Sequence, residues 1–264
     1  MNRFRRTTIL FHETDVRALQ PGLTAFPDDV FVPEQRWLAA HLLPLISIDL
    51  GILRPHLAGT AAHMLCPIEP WEGYIGNGTE HRHNAYAAHN WFAFELTQDN
   101  RYRFLGNEGY FHCAPEHERT FAQNPYAKQH VAAMRESYVK ARAYFEATGR
   151  LASYSLYGDG EAWETAYLDR LGGEICHGNW TGHPLPPAAF VLTDEAGAYQ
   201  KGGLTYRHDS SDLVDDGVRI TYKGKSFFFV ASVAGYNWCA TGADSILLFY
   251  EPENRIALFT FDWT

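Results

Sequence analysis

The sequence predicts an α+β fold in which antiparallel β-sheets carry one long helix and several shorter helices. The C-terminal part of the chain, residues 217–264, contains four runs rich in Phe, Tyr, Val, Ile and Leu that are separated by short polar turns. Aromatic residues make up 15% of the 264 residues, which favours packing over pleated surfaces. The predicted strands cluster before and after the predicted helices instead of alternating with them, which is typical of α+β proteins.

The N-terminal part is predicted to contain short strands around one helix. Residues 7–11 are predicted to form the first strand. Pro33 suits the first turn of a helix that ends near residue 43. Two mainly apolar segments, residues 44–50 and 61–68, are predicted strands.

A second meander and the longest helix follow. Residues 91–96, 101–106 and 108–113 are predicted to be three successive strands. The helix is predicted over about residues 125–148, because Asn124 is a good N-cap and Gly149 a natural end. Apolar residues recur inside it at spacings of three and four, which gives the helix one buried face.

A shorter helix is predicted over residues 159–171, with Asp159 as its cap and the two glycines after Leu171 as its end. Two short strands, residues 189–192 and 204–206, then lead to the C-terminal meander. Its runs FFFV and ILLF are apolar without interruption, so we expect them at the centre of a sheet that is covered on both faces.

Composition and charge limit the possible functions. We expect a single domain over residues 1–264, or two closely packed halves of about 1–150 and 151–264. The formal net charge of −9 argues against a nucleic-acid partner, because binding phosphates requires surplus Lys and Arg. No apolar run reaches the length of a membrane span or a signal peptide, so we expect a cytoplasmic protein that does not bind membranes.

Histidines provide the main candidate for chemistry. His81 and His83 are separated by one residue and His89 follows closely, so they could bind a metal. The third ligand could also be His63, His112, Cys113 or His117. The alternative is a polar loop that contains histidines. Because the four scattered cysteines form no C-x-x-C pair, we expect reduced core residues and no catalytic residue among them.

Acidic and aromatic residues provide the candidates for partner binding. An acidic segment, residues 209–216, contains four aspartates. Their spacing is not that of an EF-type calcium loop, so the segment is a solvated loop or part of a partner surface. Two tryptophans lie in loops rich in glycine and proline and are candidates for exposure. The predicted partner-binding residues are Asp209, Asp212, Asp215, Asp216, Trp71 and Trp180.

Two segments carry a family resemblance. Residues 171–184, with Leu-Gly-Gly followed by Trp180, and the terminal residues 226–263 resemble the YwqG-like family of uncharacterised bacterial proteins. The matching C-terminal positions are Gly242, Asp244, Leu247 and Phe249. The resemblance implies a bacterial protein similar in kind to families found beside toxins. It implies a protective binding role without catalytic residues.

Two functional hypotheses follow from the sequence. The first is a non-enzymatic cytoplasmic binding protein of the immunity type, which needs no cofactor and neutralises a basic bacterial toxin by covering its active site. The net charge favours this hypothesis, because acidic surfaces accelerate encounter with cationic partners. The alternative is a metal-assisted hydrolase that uses a site around His81, His83 and His89.

Overall fold

The protein has an α+β fold in which antiparallel sheets pack with one long helix, as the sequence predicts. A computed structural model describes residues 11–69, 75–117, 124–154, 162–182, 184–194, 199–201, 204–206 and 218–263.

The strands divide into two groups along the chain. Those before the long helix are β1 (His12–Val16), β2 (Leu23–Ala25), β3 (Leu42–Asp49), β4 (Ala61–Pro67), β5 (Ala87–Ala88), β6 (Trp91–Leu96) and β7 (Tyr102–Phe104). Those after it are β8 (Ala152–Tyr154), β9 (Ala162–Glu164), β10 (Leu168–Gly172), β11 (Phe190–Asp194), β12 (Tyr199–Lys201), β13 (Leu204–Tyr206), β14 (Val218–Tyr222), β15 (Lys225–Ser226), β16 (Phe228–Val233), β17 (Ser245–Glu251) and β18 (Ile256–Asp262).

The helices of the described residues are one α-helix and several 3₁₀ helices. The α-helix, α1, spans Pro125–Thr148. The 3₁₀ helices span Pro33–Ala40, Leu50–Ile52, Pro55–Leu57, Glu80–Arg82, Glu108–Tyr110, Pro115–His117, Asn179–Thr181 and Gly235–Asn237. None of the helices within these described ranges combines the length and the apolar composition that a membrane crossing requires.

An eight-stranded sheet, which we call the central sheet, organises the molecule. Its order is β1-β10-β16-β17-β18-β6-β5, and β7 pairs with β6. Along β17, Ile246, Leu248 and Tyr250 belong to one hydrophobic core, whereas Leu247 and Phe249 belong to a second. Alternate residues of a strand point to opposite faces, so the sheet is covered on both sides, as the uninterrupted apolar runs predict.

The smaller sheets complete the fold. They are β2-β3-β4, β11-β14-β15, β8-β9 and β12-β13. The predicted C-terminal meander is confirmed for β16, β17 and β18, which pair in succession. The first of the four runs, β14, instead pairs with β11 and β15 in a separate sheet.

The long helix begins and ends where its capping residues predict. The Asn124 side chain accepts hydrogen bonds from the backbone N–H groups of Tyr126 and Ala127, both at 3.1 Å. Gly149 ends the helix in the left-handed conformation with φ of 70°, which glycine adopts without steric penalty.

Two local predictions are wrong. Residues 159–171 do not form a helix, because strands β9 and β10 occupy its described part and β10 pairs with both β1 and β16. Residues 108–113 form no third strand, since a 3₁₀ helix covers Glu108–Tyr110. The predicted first strand is not tested, because residues 7–10 lie outside the described residues, and β1 begins at His12. Tertiary pairing overrides local helical spacing in β10.

Candidate functional site

Two loops, residues 75–90 and 107–117, bring most of the predicted histidines together around a buried tyrosine. Tyr110 is fully buried, and its hydroxyl donates to the Ala88 carbonyl at 2.9 Å. The Thr79 hydroxyl lies 3.0 Å from the Gly76 carbonyl and 2.9 Å from the Tyr110 carbonyl, which joins the two loops.

Gly76 permits the close approach of these loops. Its φ is +78°, and a Cβ atom at this position would lie 2.5 Å from a ring carbon of Tyr110. A side chain here would clash with the ring and strain the backbone. We call the resulting group the histidine cluster; it contains His81, His83, His89, His112, His117, Glu69, Glu80 and Glu116.

His83 and His89 form one part of the histidine cluster. Their rings are perpendicular with centroids 4.7 Å apart. His83 Nε2–H donates to the Gly76 carbonyl at 2.8 Å, and His89 Nε2 lies 2.8 Å from Glu80 Oε1. The backbone N–H of Gly78 and the contact with His89 lower the pKa of Glu80 to about 2. His89 and Glu80 therefore form a surface pair that favours an ionised carboxylate.

A second part of the histidine cluster lies around Glu116. The Arg82 guanidinium binds this carboxylate in a bidentate manner at 2.6 and 2.5 Å. His81 Nε2 lies 3.9 Å and His117 Nε2 3.5 Å from Glu116 Oε1. The side chains of His81 and Glu116 are 61% and 35% exposed, so this part of the cluster opens to solvent.

The third part of the histidine cluster is buried. Burial raises the pKa of Glu69 to about 8 and lowers the pKa of His112 to about 4. Glu69 Oε2 lies 3.8 Å from His112 Nε2. Both side chains are therefore uncharged near neutral pH, because desolvation opposes ionisation of either group. Their contact is a packing contact between neutral groups, not an ion pair.

The structure divides the three predicted metal ligands between two parts of the cluster. His81 faces Glu116 and His117, whereas His83 and His89 contact each other. Within the described ranges, the group of three metal-ligating side chains whose ligand atoms lie within 4.8 Å of one another is His81, Glu116 and His117. Sequence spacing could not find this group, because its members come from two separate loops.

The predicted partner-binding residues have different outcomes. Trp71 and the four aspartates Asp209, Asp212, Asp215 and Asp216 lie outside the described residues. The expectation that Trp180 is an exposed binding residue is wrong, because it is only 2% exposed. Its ring contacts Trp91 at 5.8 Å and Phe249 at 5.4 Å between centroids, so it belongs to the second hydrophobic core.

Four aspartates lie at the same end of neighbouring strands of the central sheet. Strand register places Asp15 opposite Asp169, between the pairs Thr14–Arg170 and Val16–Leu168. At the same end of the neighbouring strands, Val233 pairs with Ile246, and the preceding Ser245 pairs with Asp262. Asp244 directly precedes β17. We call Asp15, Asp169, Asp244 and Asp262 the acidic edge.

Desolvation and neighbouring negative charges raise the pKa values of two carboxyls in the acidic edge. Asp169 accepts hydrogen bonds from the Ala234 N–H at 2.6 Å and from Asn237 Nδ2 at 3.0 Å, so its oxygens face the 234–237 loop although the residue is exposed. Burial raises the pKa of the Asp169 carboxyl, and repulsion from Asp15 raises it further. Burial likewise raises the pKa of Asp262, and Asp244 adds to that effect.

Two exposed aromatic residues lie in or close to the 234–237 loop, which contacts Asp169. Tyr236 and Trp163 are each 44% exposed. Trp163 pairs with Ser153 in the β8–β9 hairpin, and the Ser153 hydroxyl donates to the Tyr236 carbonyl. Burial raises the pKa of the Tyr236 phenol, and the nearby Asp244 and Asp169 add to the shift. Aromatic rings next to carboxylates suit the binding of cationic side chains.

Comparisons with known proteins give no relative for this chain. No family model matches it, and no curated protein or solved structure is significantly similar. The resemblance to the YwqG-like family therefore stays a prediction, and function has to be argued from the geometry of the molecule.

Proposed function

We propose that the protein is a non-enzymatic binding protein of the immunity type, which neutralises a basic toxin domain by covering its active site. The observation that supports this proposal best is the acidic edge, where strand register brings Asp15 opposite Asp169 and places Asp262 and Asp244 at the same end of the neighbouring strands. This edge, rather than Trp180, is the contact surface that we propose.

Electrostatics explains why this surface suits a basic partner. Burial, together with repulsion from neighbouring carboxylates, raises the pKa values of Asp169 and Asp262, so ionising either group costs free energy. A Lys or Arg side chain of a partner would relieve that repulsion, which makes binding favourable beyond long-range steering. The exposed ring of Tyr236 adds a cation–π contact at the same place.

We also propose a cytoplasmic location for the protein. The four cysteines Cys66, Cys113, Cys176 and Cys239 all lie in the described ranges, and they form no disulfide there. Free thiols are typical of proteins in reducing compartments. A toxin that acts on an intracellular target would be met there by its inhibitor.

The experiment uses the protein encoded by the adjacent reading frame, which an immunity protein is expected to inhibit. Affinity is measured by calorimetry for the wild type and for the double variant Asp15→Asn/Asp244→Asn. We expect the double variant to bind about 10-fold or more weakly. Binding of the wild type should also weaken as salt is added, because ions screen exposed charges.

A matched control removes the same charge from the opposite edge of the sheet. Glu95 pairs with Ile256 at the start of β18, and Glu253 lies in the turn between β17 and β18. The variant Glu95→Gln/Glu253→Gln should bind like the wild type. Equal losses in both double variants, or no complex with the adjacent gene product, would contradict the proposal.

A further inference from the structure

We propose that His81, Glu116 and His117 form a binding site for a divalent transition metal of the zinc class. The site is separate from the acidic edge and does not depend on the proposed partner. Two imidazoles and one carboxylate are a ligand set that zinc accepts, and they leave a fourth position for water.

The distances suit a small ion. One ligand atom from each of the three residues lies within 4.8 Å of the others, and His81 Nε2 is 3.9 Å from Glu116 Oε1. Bonds of about 2.0–2.1 Å in a tetrahedral zinc site place ligand atoms about 3.3 Å apart. The side chains therefore need to move by about one ångström, which the 61% exposed side chain of His81 can do by rotation.

The backbone orients the most buried ligand. His117 Nε2–H donates to the Gly109 carbonyl at 2.8 Å, so a metal would bind this ring through Nδ1 and not through Nε2, the nitrogen that lies 3.5 Å from Glu116 Oε1. Metal-ligating imidazoles almost always donate their other ring N–H to a carboxylate, a backbone carbonyl or water, which fixes the orientation of the ring. Gly109 also makes room for the carboxylate, because a Cβ atom there would lie 2.2 Å from Glu116 Oε1.

Arg82 competes with the metal for the same carboxylate. Its Nε contacts Glu116 Oε1 at 2.6 Å, and Oε1 is the oxygen that faces both imidazoles. A cation bound there displaces this contact and is repelled by the guanidinium. Replacing Arg82 should therefore strengthen metal binding, an effect that a purely structural cluster does not explain.

Zn²⁺ is titrated by calorimetry into the metal-free full-length protein at pH 7. We expect one ion per chain, with an affinity at least about 10-fold weaker in His81→Ala and in Glu116→Gln. Arg82→Gln should bind about three- to fivefold more tightly, since one unit of positive charge near the ion is removed.

The control is His56→Ala, which removes an exposed histidine away from the site and should leave the affinity unchanged. Unfolding temperatures of all variants, measured without metal, identify any variant that fails to fold. Three results would each overturn the proposal: no stoichiometric binding by the wild type, unchanged affinity in both His81→Ala and Glu116→Gln, or no gain in Arg82→Gln.

Discussion

At the scale of single residues, burial decides which groups of the histidine cluster carry charge. Glu69 is 5% exposed, and its Oε1 atom has no hydrogen-bond partner among the described residues. Burial raises the pKa of this carboxyl from 4.5 to about 8. The native protein therefore holds a proton on Glu69 that the unfolded chain releases near pH 4.5.

This difference predicts how stability depends on pH. As pH rises from about 4.5 to 8, the unfolded chain ionises and the native state does not, so the Glu69 contribution destabilises the fold increasingly. Glu69→Gln cannot ionise. Relative to wild type, the variant should gain about 4 kcal/mol in free energy of unfolding between pH 4.5 and pH 8.

Urea denaturation at both pH values measures this gain for Glu69→Gln. The exposed Glu253 provides the control, and Glu253→Gln should show no comparable gain. A Glu69→Gln variant whose stability follows that of the wild type at both pH values would show that Glu69 is ionised in the native protein.

At the scale of elements, helix α1 holds the loop that carries Tyr236 and Asp244, one of the four residues of the acidic edge. The Ser137 hydroxyl donates to the Met134 carbonyl at 2.9 Å and accepts from the Ala240 N–H at 2.7 Å. The two sides of this loop also lie close together, because a Cβ atom on Gly235 would lie 2.8 Å from the Gly242 backbone. The position of Tyr236 and Asp244 therefore depends on contacts with the helix and within the loop.

Ser137→Ala should destabilise the protein by about 1–3 kcal/mol, because it leaves the Ala240 N–H without its acceptor. Ser137 is 5% exposed, so water cannot easily replace the hydroxyl. Val139→Ala on the same helix is the control, since Val139 is 64% exposed, and should change stability by less than about 0.5 kcal/mol. Urea denaturation compares the two variants. Equal effects would show that the helix–loop contact does not contribute to stability.

At the scale of the whole molecule, the central sheet separates two hydrophobic cores and joins both parts of the chain. Strands β5, β6 and β7 precede helix α1, whereas β10, β16, β17 and β18 follow it. Leu248 belongs to the core on one face and Leu258 to the core on the other, and both are fully buried. A sheet shared in this way favours a single cooperative unit over two halves.

Leu248→Ala and Leu258→Ala test this cooperativity on the two faces. Each should cost about 2–5 kcal/mol, because each leaves a cavity in a packed core. In each variant, circular dichroism and tryptophan fluorescence should report one transition with the same midpoint. A variant in which only part of the transition shifts would favour two halves, of about residues 1–150 and 151–264.

The sequence by itself determined the α+β class, helix α1 with its caps, and the buried strands β16, β17 and β18. These features depend on local periodicity and capping, which nearby residues specify. Tertiary structure alone decided that residues 168–172 form a strand, because pairing with β1 and β16 outweighs helical spacing. It also brought His81 to Glu116 and Asp15 to Asp169. Contacts between residues so distant in the chain follow from strand register and loop packing, which no local pattern encodes.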